Sequence, residues 1–408
     1  ILASGPITQS TNGSAGLQSS GRAGNGVLKV VTFNDAGAPI SLKNDATTGT
    51  GICAGATGSG NCAGTVQIEA RFADGRITEY APADIDYQGI SPISVQSIGT
   101  GTDARLASPS VTLPTSNIAA RNASFYATGG NIDLMAQIAN GSINKGLSGG
   151  SLNLYAQGNV NVSAPTSPTF AGISIGKRVS VDQDGTVTPE PFEHDLTLTA
   201  TGDINITGSI YMAADRDLNL RADASKGEVA ISLPPGVPSL GDGLGSVKLT
   251  TQPASHYESA GSVFPLEVEA RNIVVGTRQG SLMFPVQNLE INTTLLGLPA
   301  DGSGQRADAL LSASGNMEVY LTGDLKITAG GTQAVTTATT QKLNSTAVAA
   351  IQGKDVLIRG AGTGDTGTPP KNGASIFLTA GSAMANNCAG GDAFAAADAA
   401  IIAKNTKT

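Results

Sequence analysis

From His194 to Met212 the chain reads HDLTLTATGDINITGSIYM, and its apolar residues keep one parity: Leu196, Leu198, Ala200, Ile204, Ile206, Ile210 and Met212 are all even-numbered. Alternation with period two marks a strand with one buried face. The parity survives the interruption at Thr201, Gly202 and Asp203, so a turn there leads into another strand facing the same interior. The phrase aliphatic-x-aliphatic-x-Ala recurs, beginning at Val66, Ile132, Leu152, Val160, Leu196, Leu218, Leu266, Leu325 and Ile376. Related pairs lack the alanine, among them Ile204/Ile206, Val247/Leu249, Leu289/Ile291, Val319/Leu321 and Val356/Ile358.

Several of these phrases are evenly spaced. Ile132 and Leu152 lie 20 residues apart, Leu196 and Leu218 22, and Val356 and Ile376 20; Leu152 and Leu196 are 44 apart, twice 22. A recurring unit of this length predicts an all-β solenoid, a right-handed parallel β-helix with lateral loop excursions, in which each rung stacks its aliphatics on those of the next. Alanine suits the place where the coil turns and the interior narrows. Gly202 and Gly323 are expected to supply positive φ at corners. A leucine-rich repeat shares the period, but its Asn/Cys-centred signature and helical segments are missing. A β-sandwich accommodates short strands without predicting a phrase at constant spacing.

The coil is assigned to residues 66–380, with a proline- and turn-rich excursion at about 165–192. Residues 1–65 read as a glycine-rich capping or linking segment, and 381–408 as a tail. Within that tail DAFAAADAAIIAKN (392–405) favours a short helix, with Phe394, Ala397 and Ile401 on one face.

The stretches GGNIDLMAQ, GGSLNLYAQGNVNVSA and HDLTLTATGDINITGSI resemble the repeats of filamentous-haemagglutinin-like exoproteins, the β-helical adhesins of the two-partner secretion class, over roughly residues 120–380. The resemblance implies export across a Gram-negative outer membrane by an outer-membrane transporter. It also implies an extracellular, cell-surface location and a role in adhesion, contact or biofilm. It carries over no catalytic residue, and the Asn-Pro-Asn signature of the family's secretion domain is not found in this sequence.

Composition sharpens the picture. With 53 glycines, 4% aromatics and no tryptophan among 408 residues, the chain must build its core from small aliphatic layers. A net charge of −8 without a basic stripe argues against nucleic acid as a partner, and no apolar run has the ~18 residues of a spanning helix. The start at Ile1 suggests a piece of a longer precursor. Cys53 and Cys62, in GICAGATGSGNCAG, are spaced unlike a zinc hook and have no histidine nearby. They read as a local disulfide worth about 2–4 kcal/mol in an oxidising compartment, or else as two free thiols. Cys388 is left over.

Parallel β-helices also include polysaccharide lyases and tailspike-like glycan binders, the alternative reading here. Glycoside cleavage needs opposed carboxylates. The outward positions Asp133/Met135, Asn153/Tyr155, Thr197/Thr199 and Asn219/Arg221 hold one acid in eight. Glu267 and Glu269 share one rung but suit an exposed strand face. His194 and His256 have no nucleophile beside them, and DQDGT (182–186) reads as a plain turn more readily than as a calcium loop. GAGTGDTG (360–367) lacks the lysine of a phosphate loop. The sequence therefore points to no catalytic group, no cofactor and no metal. Parity instead places Tyr320, Leu357 and Phe377 outward. The 20-residue spacing predicts that Leu357 touches Phe377 and that Met135 touches Tyr155. Such apolar ladders lie under the chain's own loop or tail, or under another subunit. Partners expected from this are a second copy, joined head to tail into a filament with Cys388 as a possible lock, or a host or neighbouring cell surface or glycan.

Overall fold

The computed structural model describes residues 1–11, 18–19, 26–33, 39–44, 52–54, 65–71, 85–88, 93–98, 103–108, 110–113, 117–118, 122–127, 129–135, 147–149, 151–163, 171–175, 179–181, 187–189, 194–208, 210–222, 245–251, 266–279, 282–293, 307–336, 342–360, 374–386 and 392–404. Among these the protein is all-β, with 39 strands and no helix. Apart from two antiparallel hairpins, Val179–Val181 with Val187–Pro189 and Thr277–Gln279 with Leu282–Phe284, the pairings are parallel.

Three ladders carry the architecture. The first is an 11-stranded sheet that starts at Ile7–Thr11 and passes through Ser151–Ala156, Leu196–Ala200, Asp217–Arg221, Asn272–Val275 and Asn316–Leu321 to Asp355–Gly360. The second passes from Val111–Leu113 through Ile132–Met135, Val160–Ser163, Ile204–Thr207, Val247–Thr250, Leu289–Asn292 and Leu325–Ala329 to Ile376–Ala380. The third includes Ala171–Ile175, Ile210–Ala214, Leu266–Ala270, Ala309–Ala313, Lys342–Gly353 and Asp392–Ala403. Near the N-terminus the last two ladders merge, because Ile93–Ile98 pairs with both Val111–Leu113 and Asn117–Ile118. From there on the chain visits the ladders in one order on each pass, an arrangement consistent with a parallel β-helix. One such pass is called a rung below.

The inward side chains stack like on like. Leu152, Leu196 and Leu218 lie in direct register in the first ladder, and Val160, Ile204, Val247, Leu289 and Leu325 in the second. All are buried, in one contiguous apolar cluster that runs from Ile7 to Ile351. Each aliphatic fully removed from water contributes about 1.5–3 kcal/mol. That driving force explains why the alternation is so strict: a one-residue slip would turn a whole strand inside out. The alanines Ala127, Ala156 and Ala200 close first-ladder strands in register, and all three are buried.

The rung is not a fixed 20–22 residues. Its step in the first ladder ranges from 19 residues (Ile85 to Ala104) to 55 (Leu218 to Ile273). Leu152 pairs directly with Leu196, so the 44-residue interval is one rung, not two. Ile132 faces Val160 in the second ladder, not Leu152, and Val356 and Ile376 sit in different ladders of one rung. The physical reason is that every ladder needs the same inward pair, so the phrase marks a face as often as a rung. The excursion assigned to 165–192 narrows likewise: Ala171–Ile175 is a ladder strand, and the hairpin of Val179–Val181 with Val187–Pro189 follows it as a sheet of its own.

Both termini also differ from expectation. Strands Ile7–Thr11, Val27–Phe33 and Ile40–Asn44 already belong to the sheets, so the ladders begin within 1–65. The tail expected to be helical is a strand, Asp392–Ala403, paired residue by residue with Lys342–Gly353. Alanine's helix preference is a fraction of a kcal/mol per residue, and a waiting sheet edge overrides it. Consequently Ala397 and Ile401 have the same parity as the inward Ala399, whereas Phe394 lies on the opposite face and is exposed.

Corner glycines serve close approach instead of positive φ, which among the described glycines occurs at Gly208 (111°) and Gly276 (76°). A Cβ on Gly202 would stand 2.2 Å from Asn159 Oδ1, and one on Gly323 2.5 Å from Asn288 Oδ1. Gly202→Ala should therefore destabilise the fold by about 1–3 kcal/mol. Gly5→Ala, with nothing within 4 Å of the added carbon, should stay within about 0.5 kcal/mol. Urea denaturation of both variants checks this; equal effects would contradict it.

Candidate functional site

The surface is organised as columns of side chains that repeat from rung to rung. One column occupies the corner before the second-ladder strands from Ile132–Met135 to Leu325–Ala329: Asn131, Asn159, Asp203, Ser246, Asn288 and Asp324. At four of its five steps the side-chain oxygen accepts the main-chain N–H of the same position one rung on, and at the other Ser246 Oγ accepts from Asn288 Nδ2 at 3.3 Å. Asn131 Oδ1 accepts from Asn159 N at 2.9 Å, Asn159 Oδ1 from Asp203 N at 2.8 Å, Asp203 Oδ1 from Ser246 N at 2.9 Å, and Asn288 Oδ1 from Asp324 N at 2.8 Å. These bonds satisfy donors that a tight corner leaves without a sheet partner. A second column at the start of the first-ladder strands works the same way: Ser151 Oγ accepts from Asp195 N at 3.0 Å and Asn272 Oδ1 from Asn316 N at 3.1 Å. There Arg216 clamps Asp195 with two guanidinium bonds, and His194 N donates to Asp215 Oδ1 at 2.9 Å.

The outward face of the second ladder carries Asp133, Asn161, Asn205, Lys248, Glu290 and Lys326 in register. Asn161 Nδ2 donates to Asp133 Oδ1 at 2.7 Å, and Asn205 Nδ2 to Asn161 Oδ1 at 2.9 Å. Lys248 Nζ lies 2.6 Å from Asp203 Oδ2, and Lys326 Nζ 3.6 Å from Asp324 Oδ2. Half-exposed pairs of this kind contribute about 0–1 kcal/mol each. Lys326 Nζ also lies 3.9 Å from Oε1 of its register neighbour Glu290, so opposite charges sit along the ladder or beside it at the corner.

Aromatic side chains enter differently. Tyr126 and Tyr155 stack with centroids 5.0 Å apart and planes 7° from parallel, with the Arg105 guanidinium 5.5 Å over the Tyr126 ring. This pair and Ala107 form a small buried cluster apart from the main core. Burial pushes the Tyr126 phenol up.

The residues singled out from the sequence scatter. Tyr320 has outward parity but is fully buried, with its hydroxyl donating to Glu318 Oε2, so it offers nothing to a partner. Tyr155 is likewise buried, and pairs with Tyr126 and Thr199 in the first ladder, whereas Met135 pairs with Ser163 in the second, so the two are not register neighbours. Leu357 lies opposite Glu318 and Phe377 opposite Lys326, so they too are not register neighbours, though both are exposed. Cys53 begins a short strand paired with Gln18–Ser19; Cys62 and Cys388 lie outside the described residues, as does the proposed bridge. So do 182–186, Glu193, His256 and 361–367. Among the described residues no cluster of three or more His, Cys, Asp or Glu could hold a metal ion, and no helix is long and apolar enough to cross a membrane. Sequence reasoning missed the corner columns, although their signal, a polar Asn, Asp or Ser before aliphatic-x-aliphatic, stands in GGNIDL, QGNVNV and TGDINI.

On the third ladder Tyr211 OH donates to Glu269 Oε2 at 3.1 Å. Burial first, then the Glu269 charge and hydrogen bond, then Glu267, push the phenol up to about 12. The folded chain thus holds this proton more tightly than an unfolded chain, whose tyrosines titrate near 10. The stability so gained is present below about pH 10 and is lost as pH rises from there through about 12. Tyrosine-labelled NMR titration should find Tyr211 ionising late, and Glu269→Gln should lower its midpoint; an unchanged midpoint would contradict this.

Comparison of the chain with protein-family models, with curated proteins and with solved structures finds no match.

Proposed function

We propose that this chain is an extracellular structural or adhesive module: a right-handed parallel β-helix of the filamentous-haemagglutinin-like kind that projects a surface from a bacterial cell and catalyses no reaction. The observation that carries the reading is the outward stripe from Asp133 to Lys326. Its polar groups are engaged with their neighbours along the ladder and at the adjoining corner, which stiffens a rod and does not converge acid and base on one reacting atom. At roughly 4.8 Å per rung, an 11-stranded ladder extends about 50 Å, enough to hold a binding surface clear of its anchor. The partners that fit are a host or neighbouring cell surface or glycan and further copies of the chain, after passage through an outer-membrane transporter. Neither nucleic acid, membrane insertion nor a cofactor belongs to this reading, in keeping with the net charge of −8.

The test is to immobilise the chain, measure its retention of bacterial and host cells and of surface glycans, and assay the same glycans and uronate polymers for chain cleavage. Retention without new chain ends is the expected result. Cleavage abolished by Asp182→Asn, Asp184→Asn or Glu193→Gln would replace the adhesive reading with a carbohydrate-active one. Absence of retention by any of these surfaces would contradict the adhesive part.

A further inference from the structure

Three Asn-x-Ser/Thr tripeptides have all their side chains among the described residues: Asn161-Val162-Ser163, Asn205-Ile206-Thr207 and Asn344-Ser345-Thr346. Such a tripeptide is the acceptor for N-linked sugar in secreted proteins, provided that its asparagine can be reached. Strand alternation sends the first and third residues of each to the outside together and the middle one inward. Val162, Ile206 and Ser345 are accordingly buried. What separates the three is the surroundings of the asparagine.

Asn161 and Asn205 stand inside the second ladder with register neighbours on both sides, and Asp133 and Lys248 close the row. Both are half-buried, and each carboxamide nitrogen already donates along the ladder, Asn161 Nδ2 to Asp133 Oδ1 and Asn205 Nδ2 to Asn161 Oδ1. Asn344 differs on each count. It is exposed, and its carboxamide makes no hydrogen bond. It lies in the first half of Lys342–Gly353, whose pairing with Ala309–Ala313 begins only at Ala349, and its register neighbour is Phe394. Thr346 projects to the same side of the strand as Asn344. Its hydroxyl donates to Asp308 Oδ1 at 3.2 Å, which fixes its direction, and the oxygen keeps lone pairs with which to accept.

We propose that Asn344 is an N-glycosylation site of the folded chain, with a sugar carried on a diphosphate as the donor. In the transfer Asn344 Nδ2 forms a bond to the anomeric carbon of the sugar. The bond from that carbon to the diphosphate oxygen breaks, and the diphosphate leaves with the electron pair. One Nδ2 proton passes to a base of the transferase that brings the donor, and nothing is oxidised or reduced. The unengaged carboxamide matters because an asparagine held between two neighbours cannot turn its nitrogen toward a donor without first giving up its ladder bond. The site does not depend on whether the chain adheres to a surface.

Peptide mapping by mass spectrometry of the full chain, recovered from the cells that produce it and from their medium, tests the proposal. A sugar adduct on Asn344 is expected, with Asn161 and Asn205 unmodified in the same molecules. Asn344→Gln and Thr346→Ala should each lose the adduct, whereas Thr346→Ser, which keeps the hydroxyl, should retain it. Circular dichroism separates loss of the acceptor from loss of the fold, since all three variants should keep the strand signal of the parent chain. A single sugar residue marks a nucleotide diphosphate as the donor and a preassembled oligosaccharide a lipid diphosphate, and either supports the site. Asn344 found without sugar overturns the proposal, and so does an adduct that survives Thr346→Ala. Adducts as frequent on Asn161 and Asn205 overturn it too, because the tripeptide is then modified before the strands pair and the folded surroundings of Asn344 decide nothing.

Discussion

Parallel pairing between successive rungs is the constraint from which the rest of this structure follows. Within the ladders each strand between the ends bonds one neighbour on either side, in the same direction, so every position must suit the position beneath it. Leucine meets leucine from Leu152 to Leu218, alanine meets alanine from Ala127 to Ala200, and asparagine meets asparagine from Asn131 to Asn159. A polar residue at an inward position would be repeated in contact with apolar side chains above and below, and the buried inward set is accordingly almost wholly aliphatic. Composition follows from the same constraint: stacked identical layers leave little room for bulky aromatics, and the Tyr126–Tyr155 stack finds its place outside the main core.

The corners obey the same logic with different chemistry. A chain that turns between ladders loses strand pairing at the turning residue, and a side-chain oxygen one rung away replaces it. For the oxygen to reach the amide, the residue before the next asparagine or aspartate has to be small. Gly158, Gly202 and Gly323 occupy those places, each so close to an asparagine oxygen that a methyl group would collide with it. Polarity at the corner and smallness beside it are one device. It explains why glycine is abundant in a protein whose described glycines rarely take positive φ.

The all-β class, the parallel pairing and the inward set were legible in the sequence, because alternation fixes a strand's buried face without reference to anything distant. Leu196, Leu198, Ile204, Ile206 and Met212 are buried where parity places them. The length of a rung was not legible. Three ladders share one phrase, so Ile132 and Leu152 look like successive layers and are successive faces. The last strand was misread because alanine speaks for helix in isolation, whereas Asp392–Ala403 answers to the edge of Lys342–Gly353. Outward residues were the least readable. Leu357 and Phe377 are exposed, but Tyr155 and Tyr320 are buried, and only their surroundings in three dimensions decide between the two.

Position-on-position stacking has a direct test in the length of a deletion. Removing residues 196–217 takes out one complete rung and brings Leu218 onto Leu152, Val247 onto Val160 and Val268 onto Ile173, each in the register the ladders already use. Thermal unfolding followed by circular dichroism should show this variant still folding cooperatively, with β content in proportion to its length. A variant lacking only 196–206 puts second- and third-ladder residues out of step and should lose the cooperative transition. If the two deletions damage the fold equally, or the half-rung deletion is the better tolerated, stacking in register is not what holds this chain together.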